Sequence, residues 1–383
     1  MRILHVVPSY YPATYWGGPI FSVYALNNAL SALPGAELTV LTTDSAGPKV
    51  DARLETRDMI GLYPGQRVVM TRRVAGASIS PGLLFKLPGL LYRAEMVHLT
   101  GIYSFPTLPT LLFCRLLGKP LVWSPRGAVQ DAHEWKGTRR RRLKRVWEKI
   151  CNALLREGKV VAHATSERER VATQMRVPRT QAVVVPNGVD VPEELQARDW
   201  LPHGQLRLMY LGRLSPKKGI ENLLGAIELL EHLDIVLTIF GTGEKAYVEG
   251  LEEKAALLPS GRVVFAGHID GAAREAAFAH ADLCVMPSHT ENFCMVIAEA
   301  LAHGVPVIAS TGTPWQAVEE MECGRWVDNS PKELALAIEK TRKMDLAKMG
   351  ERGRDWMRRE FSWDTVAADM MRVYRSLGSK MRE

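Results

Sequence analysis

Residues 285–310 read VMPSHTENFCMVIAEALAHGVPVIAS. One apolar run stops at Pro287, and a second, β-branched run occupies residues 305–309 after Gly304. Both runs are typical of buried strands. Between them, apolar residues recur at helical spacing from Phe293, and the glycine stands where a helix C-cap is expected. The stretch therefore predicts a strand, a helix and a second strand of a parallel sheet.

Two carboxylates lie in this stretch, Glu291 ahead of the predicted helix and Glu299 within it. A helix that begins at the carboxyl end of a parallel strand points free N–H groups into a crevice where phosphate can bind. In that position Glu291 could accept hydrogen bonds from sugar hydroxyls, and Glu299 could bind a ribose diol. The alternative is that the first acid caps the helix and the second is a solvated surface charge.

The order of these residues resembles the paired-Glu signature of the group 1 retaining glycosyltransferases, which have the GT-B fold. The match runs from Glu291 through Asn-Phe-Cys-Met-Val-Ile-Ala to Glu299 and on through Ala-Leu-Ala-His-Gly-Val-Pro-Val. The resemblance implies that Glu291 contacts the transferred sugar and that Glu299 holds the nucleotide ribose. Where relatives have Gly after Phe293, this chain has Cys294, which narrows the space beside the backbone amides.

Fold class and domain organisation follow from the resemblance together with the length. A chain of 383 residues exceeds one ordinary core. We expect an α/β protein of two Rossmann-like parallel-sheet domains facing a cleft, residues 1–190 and 205–362, the second binding the donor. Residues 191–204 are polar, contain two prolines and lack a period, so they are predicted to be a linker. A closing helix at about 365–383 is expected to cross back to the first domain.

Two cations follow the strand predicted at 206–211. Arg213 and Lys218 flank a loop at the carboxyl end of that strand, ahead of a helical pattern. Cations there can neutralise a diphosphate leaving group, and Arg can bind it bidentately. A charge pair in a loop is otherwise simply solvated. The order Gly-Arg-Leu then Lys-Lys-Gly is similar to the donor-phosphate loop of the same family, which implies a catalytic role for both.

The resemblance also implies further donor-binding residues. Amides at the helix start would hold the diphosphate, a Gly-x-Gly turn would approach the nucleotide, and a third loop would meet the base. The helix-start residues are Asn292, Phe293, Cys294 and Met295. Gly241 belongs to the Gly-x-Gly turn, and His268 and Ile269 belong to the loop that would meet the base.

A glycine pair and one arginine are the candidates in the first half of the chain. Gly17 and Gly18 follow the strand predicted at 3–7 and would let the backbone approach a phosphate or sugar closely. They lack the full G-x-G-x-x-G spacing, so a plain turn is the alternative. Arg126 follows a later strand and is a further catalytic candidate, because the resembled family often carries a His in contact with the donor sugar at this position. His133 is expected either on the acceptor side or simply exposed.

Residues 136–159 predict a basic amphipathic helix. Six apolar side chains share one face, while basic residues crowd the start and the other face; the apolar ones are Leu143, Val146, Trp147, Ile150, Ala153 and Leu154. This face could pack on the core, or the helix could lie on a membrane surface. The apolar segment 81–92 is predicted to be either a core helix or a surface loop that meets lipid. Nucleic acid is not expected as a partner, because no recognised binding motif accompanies the cluster.

Composition bounds the remaining possibilities. Five scattered cysteines fit a reducing compartment, and no apolar run has the length of a signal or a spanning helix. We therefore expect a cytoplasmic protein, with peripheral contact to the inner face of the membrane as an option. A net charge of +7 favours anionic partners.

These features predict a retaining, metal-independent hexosyltransferase. No Asp-x-Asp pair occurs, and the two cations could replace a divalent ion, so no metal or cofactor is expected. The donor would be a UDP-, GDP- or ADP-sugar, and the acceptor a saccharide or lipid-linked saccharide in surface polysaccharide synthesis. The alternatives are an epimerase or phosphorylase on the same two-domain plan, or a non-catalytic protein that binds a polyanion or a membrane.

Overall fold

The computed structural model describes residues 1–55, 61–129 and 139–379. They form two compact units. The first unit comprises Met1–Gly188 together with the C-terminal segment from Trp363, and the second comprises Val189–Ser362. His133 and the start of the predicted 136–159 helix lie outside the described residues.

The first unit is built on a seven-stranded parallel sheet. Its strands are β1 (Arg2–Val6), β2 (Glu37–Thr43), β3 (Gln66–Thr71), β4 (Met96–Thr100), β5 (Leu121–Ser124), β6 (Val160–Ala164) and β7 (Gln181–Val184). Their order across the sheet is β3-β2-β1-β4-β5-β6-β7. The direction of winding reverses between β1 and β4, and such a reversal opens a crevice at the carboxyl ends of the strands.

In the described parts of the connections, the helices are α1 (Gly18–Ala32), α2 (Pro81–Arg93), α3 (Thr107–Leu117), α4 (Arg139–Leu154) and α5 (Glu167–Arg176). Segment 81–92 is thus part of a helix, which Ser80 caps by accepting a hydrogen bond from the Leu83 amide at 3.3 Å. Leu83, Leu87 and Leu91 are buried at helical spacing and join the core that α2, α3 and α4 form on one face of the sheet.

The second unit repeats the plan with six parallel strands. They are β8 (Leu206–Leu211), β9 (Ile235–Phe240), β10 (Val263–Gly267), β11 (Leu283–Met286), β12 (Val307–Ser310) and β13 (Gly324–Val327). The order is β10-β9-β8-β11-β12-β13, which places the reversal between β8 and β11. The accompanying helices are α6 (Ile220–Leu229), α7 (Lys245–Ala255), α8 (Gly271–His280), α9 (Met295–Ala302), α10 (Ala317–Glu320), α11 (Pro331–Arg342) and α12 (Leu346–Trp356). The prediction of two parallel-sheet α/β domains is confirmed.

The C-terminal helix α13 (Trp363–Ser379) belongs to the first unit. Its buried residues Val366, Met370 and Tyr374 join the core on the α1 side of the sheet, together with Leu26 and Leu30 of that helix. The expected return of the last helix to the first domain is therefore found.

The segment predicted to be a linker, residues 191–204, is part of the second unit. Arg198 fixes it there by donating hydrogen bonds to four backbone carbonyl oxygens, those of Phe278, Ala279, His303 and Gly304. Arg354 also donates to the carbonyls of Pro192 and Glu193, so two arginine side chains help to hold a segment that has no periodicity of its own.

Helix α4 buries only part of its predicted apolar face, for which the sequence leaves packing on the core and contact with a membrane both open. Leu143, Val146 and Ile150 of that face are 63%, 55% and 44% exposed. Trp147 and Glu148 face inward instead, because the indole N–H donates to the Ile102 carbonyl at 2.6 Å and the carboxylate is held by the Tyr103 hydroxyl and Arg176. These polar contacts set the rotation of the helix, and apolar periodicity does not report them.

Candidate active site

The strongest candidates of the second unit converge on the reversal between β8 and β11. Arg213 and Lys218 follow β8, and Glu291 follows β11. Ligands bind outside the carboxyl ends of parallel strands at such a point, since the loops on either side diverge and leave a crevice.

Lys218 and Glu291 form an ion pair there, with Lys218 Nζ donating to Glu291 Oε1. The Ser288 hydroxyl donates to the same oxygen at 2.8 Å. The two charged side chains are only 20% and 12% exposed. Burial acts to lower the pKa of Lys218, but the neighbouring carboxylate outweighs it and the net pKa is raised. The lysine is therefore a fixed cation at neutral pH.

Two glycines allow the loops to approach closely enough for this pair. Gly219 has φ +64°, and a Cβ there would lie 2.3 Å from the Pro287 carbonyl oxygen. A Cβ on Gly312 would lie 2.1 Å from the Ser288 carbonyl oxygen. Any side chain at either position would separate the loops that follow β8, β11 and β12.

Arg213 lies on the exposed side of the same loop. Its charge acts against protonation of Lys218, so the two cations are electrostatic neighbours. Beneath them is the buried Tyr210, whose hydroxyl donates to the Arg213 carbonyl at 3.2 Å. Burial, reinforced by the charge of Glu291, raises the pKa of that phenol, so it remains a neutral donor.

The start of α9 lies beside the ion pair. Asn292 and Phe293 lead into Cys294, which adopts the left-handed conformation at φ 67° immediately before Met295, the first residue of the helix. The Phe293 carbonyl accepts a hydrogen bond from the indole of Trp315, which fixes the approach. First-turn N–H groups have no acceptor within a helix, so this turn presents donors to the crevice.

Burial raises the pKa of the Cys294 thiol well above its usual value, and the carboxylate of Glu291 adds to the effect. The thiol is consequently a neutral group beside the ion pair. It occupies space that a glycine would leave open, as the sequence predicts.

Glu299 lies within α9 and pairs with the Arg274 guanidinium of α8. The two side chains are 23% and 33% exposed, so the carboxylate is accessible to a ligand. Sequence analysis does not identify Arg274 or Ser288. Ser288 could have been named from its place directly after β11 and Pro287, whereas the α8–α9 contact has no signature in sequence spacing.

The remaining candidates for binding the donor substrate lie in the loops after β9 and β10, at the same edge of the sheet. Gly241 follows β9 and its amide donates to the Gly267 carbonyl at 2.7 Å. His268 follows β10 with its side chain 70% exposed, Nε2 being 3.9 Å from Asp270 Oδ2. Ile269 packs partly buried against the core. All three therefore lie at the carboxyl edge that carries Lys218 and Glu291.

In the first unit, Gly17 and Gly18 form the start of α1 after β1, with φ of Gly17 at 75°. Arg126 follows β5 in a left-handed conformation, and its Nη1 donates to Asn187 Oδ1 at 2.6 Å. Nε and Nη2 are buried and find no hydrogen-bond partner among the described residues. Burial lowers the pKa of Arg126, and the charge of Glu169 opposes that change. Within residues 1–55, 61–129 and 139–379, the guanidinium therefore has N–H groups without an acceptor.

A row of buried histidines, His5, His98 and His163, lies close to Arg126 on strands β1, β4 and β6. The first two rings stack at 4.2 Å. Burial lowers the pKa of His5 and of His163 to about 3, and it also lowers the pKa of His98. All three are therefore neutral near pH 7.

Hydrogen bonds determine which ring nitrogen carries the proton in His163 and in His98. His163 Nε2 must donate to the Val185 carbonyl at 2.9 Å, so its Nδ1 accepts from the Ser124 hydroxyl at 2.6 Å. Ser124 in turn accepts from His98 Nε2 at 2.7 Å, which leaves His98 Nδ1 to accept from Tyr374 at 2.6 Å. Sequence analysis misses this row, which ties α13 to the strand end that precedes Arg126.

Across residues 1–55, 61–129 and 139–379, no group of three or more His, Cys, Asp or Glu side chains is arranged to hold a metal ion. None of the helices in these ranges combines the length and apolar character that crossing a bilayer requires.

Two parallel sheets, each with a reversal of strand order, and a C-terminal helix belonging to the first unit define a GT-B protein. A family model described as Glycosyl transferases group 1 matches residues 193–356, and one described as Glycosyltransferase Family 4 matches residues 16–193. The two matches together span residues 16–356 and, with the glycosyltransferase relatives, support the sequence-based assignment of the chain as a group 1 glycosyltransferase of the GT-B fold.

Relatives extend the similarity over most of the chain. Glycogen synthase of Mycobacterium tuberculosis is 27% identical over 98% of this chain and 94% of its own length. A GDP-mannose-dependent alpha-mannosyltransferase of Mycolicibacterium smegmatis is 34% identical over 47% of each chain. Among solved structures, HepE of Anabaena in complex with UDP is similar with a TM-score of 0.73 and 18% identity, over 98% of this chain and all of that one. These similarities show sugar transfer as the activity class and GT-B as the fold.

Proposed function

We propose that this protein is a retaining hexosyltransferase that moves a sugar from a nucleotide-diphosphate sugar to a saccharide or lipid-linked saccharide. The observation that carries the proposal is the Lys218–Glu291 pair at the strand-order reversal, beside the first turn of α9. A phosphate-binding helix start, a fixed cation and an oriented carboxylate are the groups that departure of a diphosphate requires.

In this proposal the donor diphosphate lies on the amides of residues 292–295. Lys218 and the exposed Arg213 stabilise the negative charge that develops as the nucleotide leaves. Glu291 accepts hydrogen bonds from the sugar hydroxyls, and Ser288 and Lys218 hold its carboxylate in one orientation. Because two cations already serve the leaving group, we propose a reaction without a metal ion.

The nucleoside is assigned to the neighbouring loops. Glu299 would bind the ribose hydroxyls, with Arg274 orienting its carboxylate. Gly241, His268 and Ile269 would surround the base through loops after β9 and β10. Relatives named for GDP-mannose and crystallised with UDP support a nucleotide-diphosphate donor but differ in the base.

Gly17, Gly18 and Arg126 are assigned to substrate binding in the first unit. Two buried nitrogens of Arg126, Nε and Nη2, find no hydrogen-bond partner in the described part of the chain. They support the assignment, because a buried guanidinium gains most from an additional oxygen ligand. We propose a cytoplasmic enzyme whose acceptor is a lipid-linked saccharide for a surface polysaccharide, presented at the inner face of the membrane.

Retention is tested by the anomeric configuration of the product. Proton NMR during transfer from an α-linked donor should show an α-linked product from the first turnovers, at an unchanged rate in EDTA. A β-linked first product would contradict the proposed retention, and loss of the rate in EDTA that added Mg²⁺ restores would contradict metal independence.

A further inference from the structure

Helices α2, α3 and α4 lie side by side over one face of the first sheet and share a buried core. Their outward surfaces are here called the three-helix face. Large apolar side chains remain exposed along it: Leu84, Phe85, Tyr92, Leu112, Leu116, Leu117, Leu143, Val146 and Ile150. Phe85, Tyr92 and Leu116 are 89%, 78% and 68% exposed. Apolar surface concentrated in this way, rather than scattered singly, marks an interaction surface.

The same helices have a large excess of basic over acidic residues. Ten basic residues and one acid occur in their sequences, and the acid, Glu148, is 5% exposed and paired with Arg176. Their formal charge of +9 exceeds the +7 of the whole chain. The three-helix face is therefore a cationic surface on a protein that is otherwise close to neutral.

Apolar and basic side chains alternate on α4. Arg142, Arg145 and Lys149 are exposed beside Leu143, Val146 and Ile150, because the inward contacts of Trp147 and Glu148 turn these positions outward. A helix of this kind lies flat in a bilayer interface, with aliphatic groups at the acyl boundary and long basic side chains at the headgroups.

We propose that the three-helix face docks the protein peripherally on an anionic phospholipid bilayer. A bilayer accounts for both halves of the surface, since anionic headgroups attract the charge and the acyl region takes up the aliphatic and aromatic groups. Nucleic acid would account for the charge but not for exposed aliphatic groups on all three helices. The proposal adds a partner to the proposed function, but docking does not depend on which sugar is moved.

The test is sedimentation of the full chain with vesicles of phosphatidylcholine, alone or with one-third phosphatidylglycerol. We expect binding to the anionic vesicles only. Reversal of three exposed charges, Arg142→Glu, Arg145→Glu and Lys149→Glu, should lower the partition coefficient on the order of 100-fold. The matched control reverses three exposed lysines of the second unit, Lys245→Glu, Lys254→Glu and Lys332→Glu, and should bind as the wild type does apart from a small effect of net charge.

A second variant tests the contribution of the apolar side chains of the three-helix face. It removes three exposed groups that are not part of the core, by the substitutions Phe85→Ser, Leu116→Ser and Val146→Ser. High salt screens the electrostatic attraction, so we expect this variant to bind anionic vesicles less than the wild type does at high salt. Wild-type sedimentation equal with and without phosphatidylglycerol, equal loss in both charge-reversed proteins, or binding to heparin but not to vesicles would each overturn the proposal. Hydrolysis of a nucleotide-sugar should be unaffected in the α4 variant, so failure of docking and failure of the proposed transfer reaction are distinguishable.

Discussion

Replacing Lys218 with Met should lower kcat/KM for sugar transfer by about 10²–10³-fold. Methionine keeps the length and apolar stem of the side chain but removes the ammonium group that bonds Glu291. The departing diphosphate then loses a fixed cation, and the carboxylate loses the partner that orients it. Because the effect arises as charge develops on the leaving group, most of it should appear in kcat rather than in KM.

The adjacent Lys217 provides the matched control. It lies in the same loop with an exposed side chain, and its backbone carbonyl accepts a hydrogen bond from the His289 amide at 2.9 Å. Lys217→Met should therefore retain nearly the full rate. Initial rates would be measured for both variants after urea titrations have shown equal stability. Similar rates for Lys218→Met and Lys217→Met would remove Lys218 from the proposed chemistry.

Acidification below pH 6.5 should destabilise the first unit steeply. An unfolded chain protonates its histidines near pH 6.5, whereas the folded unit keeps His5, His98 and His163 neutral because burial lowers the pKa of each. Their stabilising contribution is complete above the unfolded pKa and is lost as pH falls toward the folded values. Three such groups cost about 6 kcal/mol between pH 7 and pH 5, a large share of ordinary domain stability.

Urea unfolding followed by circular dichroism at pH 7.5, 6.5 and 5.5 measures this loss. His163→Gln, which keeps a donor and an acceptor, should lower stability at pH 7.5 but reduce its dependence on pH by about one proton. An unfolding free energy that is flat from pH 7.5 to 5.5 would be incompatible with a neutral buried row.

The sequence predicts the sheet elements and the loops at their carboxyl ends well, for a physical reason. Strands buried on both faces appear as short apolar runs, and in a parallel sheet the loops that follow them must share one edge. Knowing the strands therefore places Lys218 and Glu291 on the same edge before any coordinates exist.

Contacts that depend on tertiary structure could not be predicted from the sequence. His5, His98 and His163 come from three strands, and only the order β1-β4-β5-β6 brings them into one row. The rotation of α4 depends on hydrogen bonds from Trp147 and to Glu148, neither of which belongs to a local motif. Amphipathic periodicity predicts that helix but leaves open whether its apolar face packs on the core or stays at the surface.

Hydrolysis of a panel of UDP-, GDP- and ADP-sugars tests the central claim most directly, because water can replace an unknown acceptor. The wild type should slowly release the nucleotide diphosphate from at least one of these donors in EDTA, Lys217→Met should do so equally, and Lys218→Met should fall to background. Two results would contradict the claim that the Lys218–Glu291 site binds a departing diphosphate. One is a panel in which no donor is hydrolysed and none raises the Tm, and the other is hydrolysis by Lys218→Met at the wild-type rate.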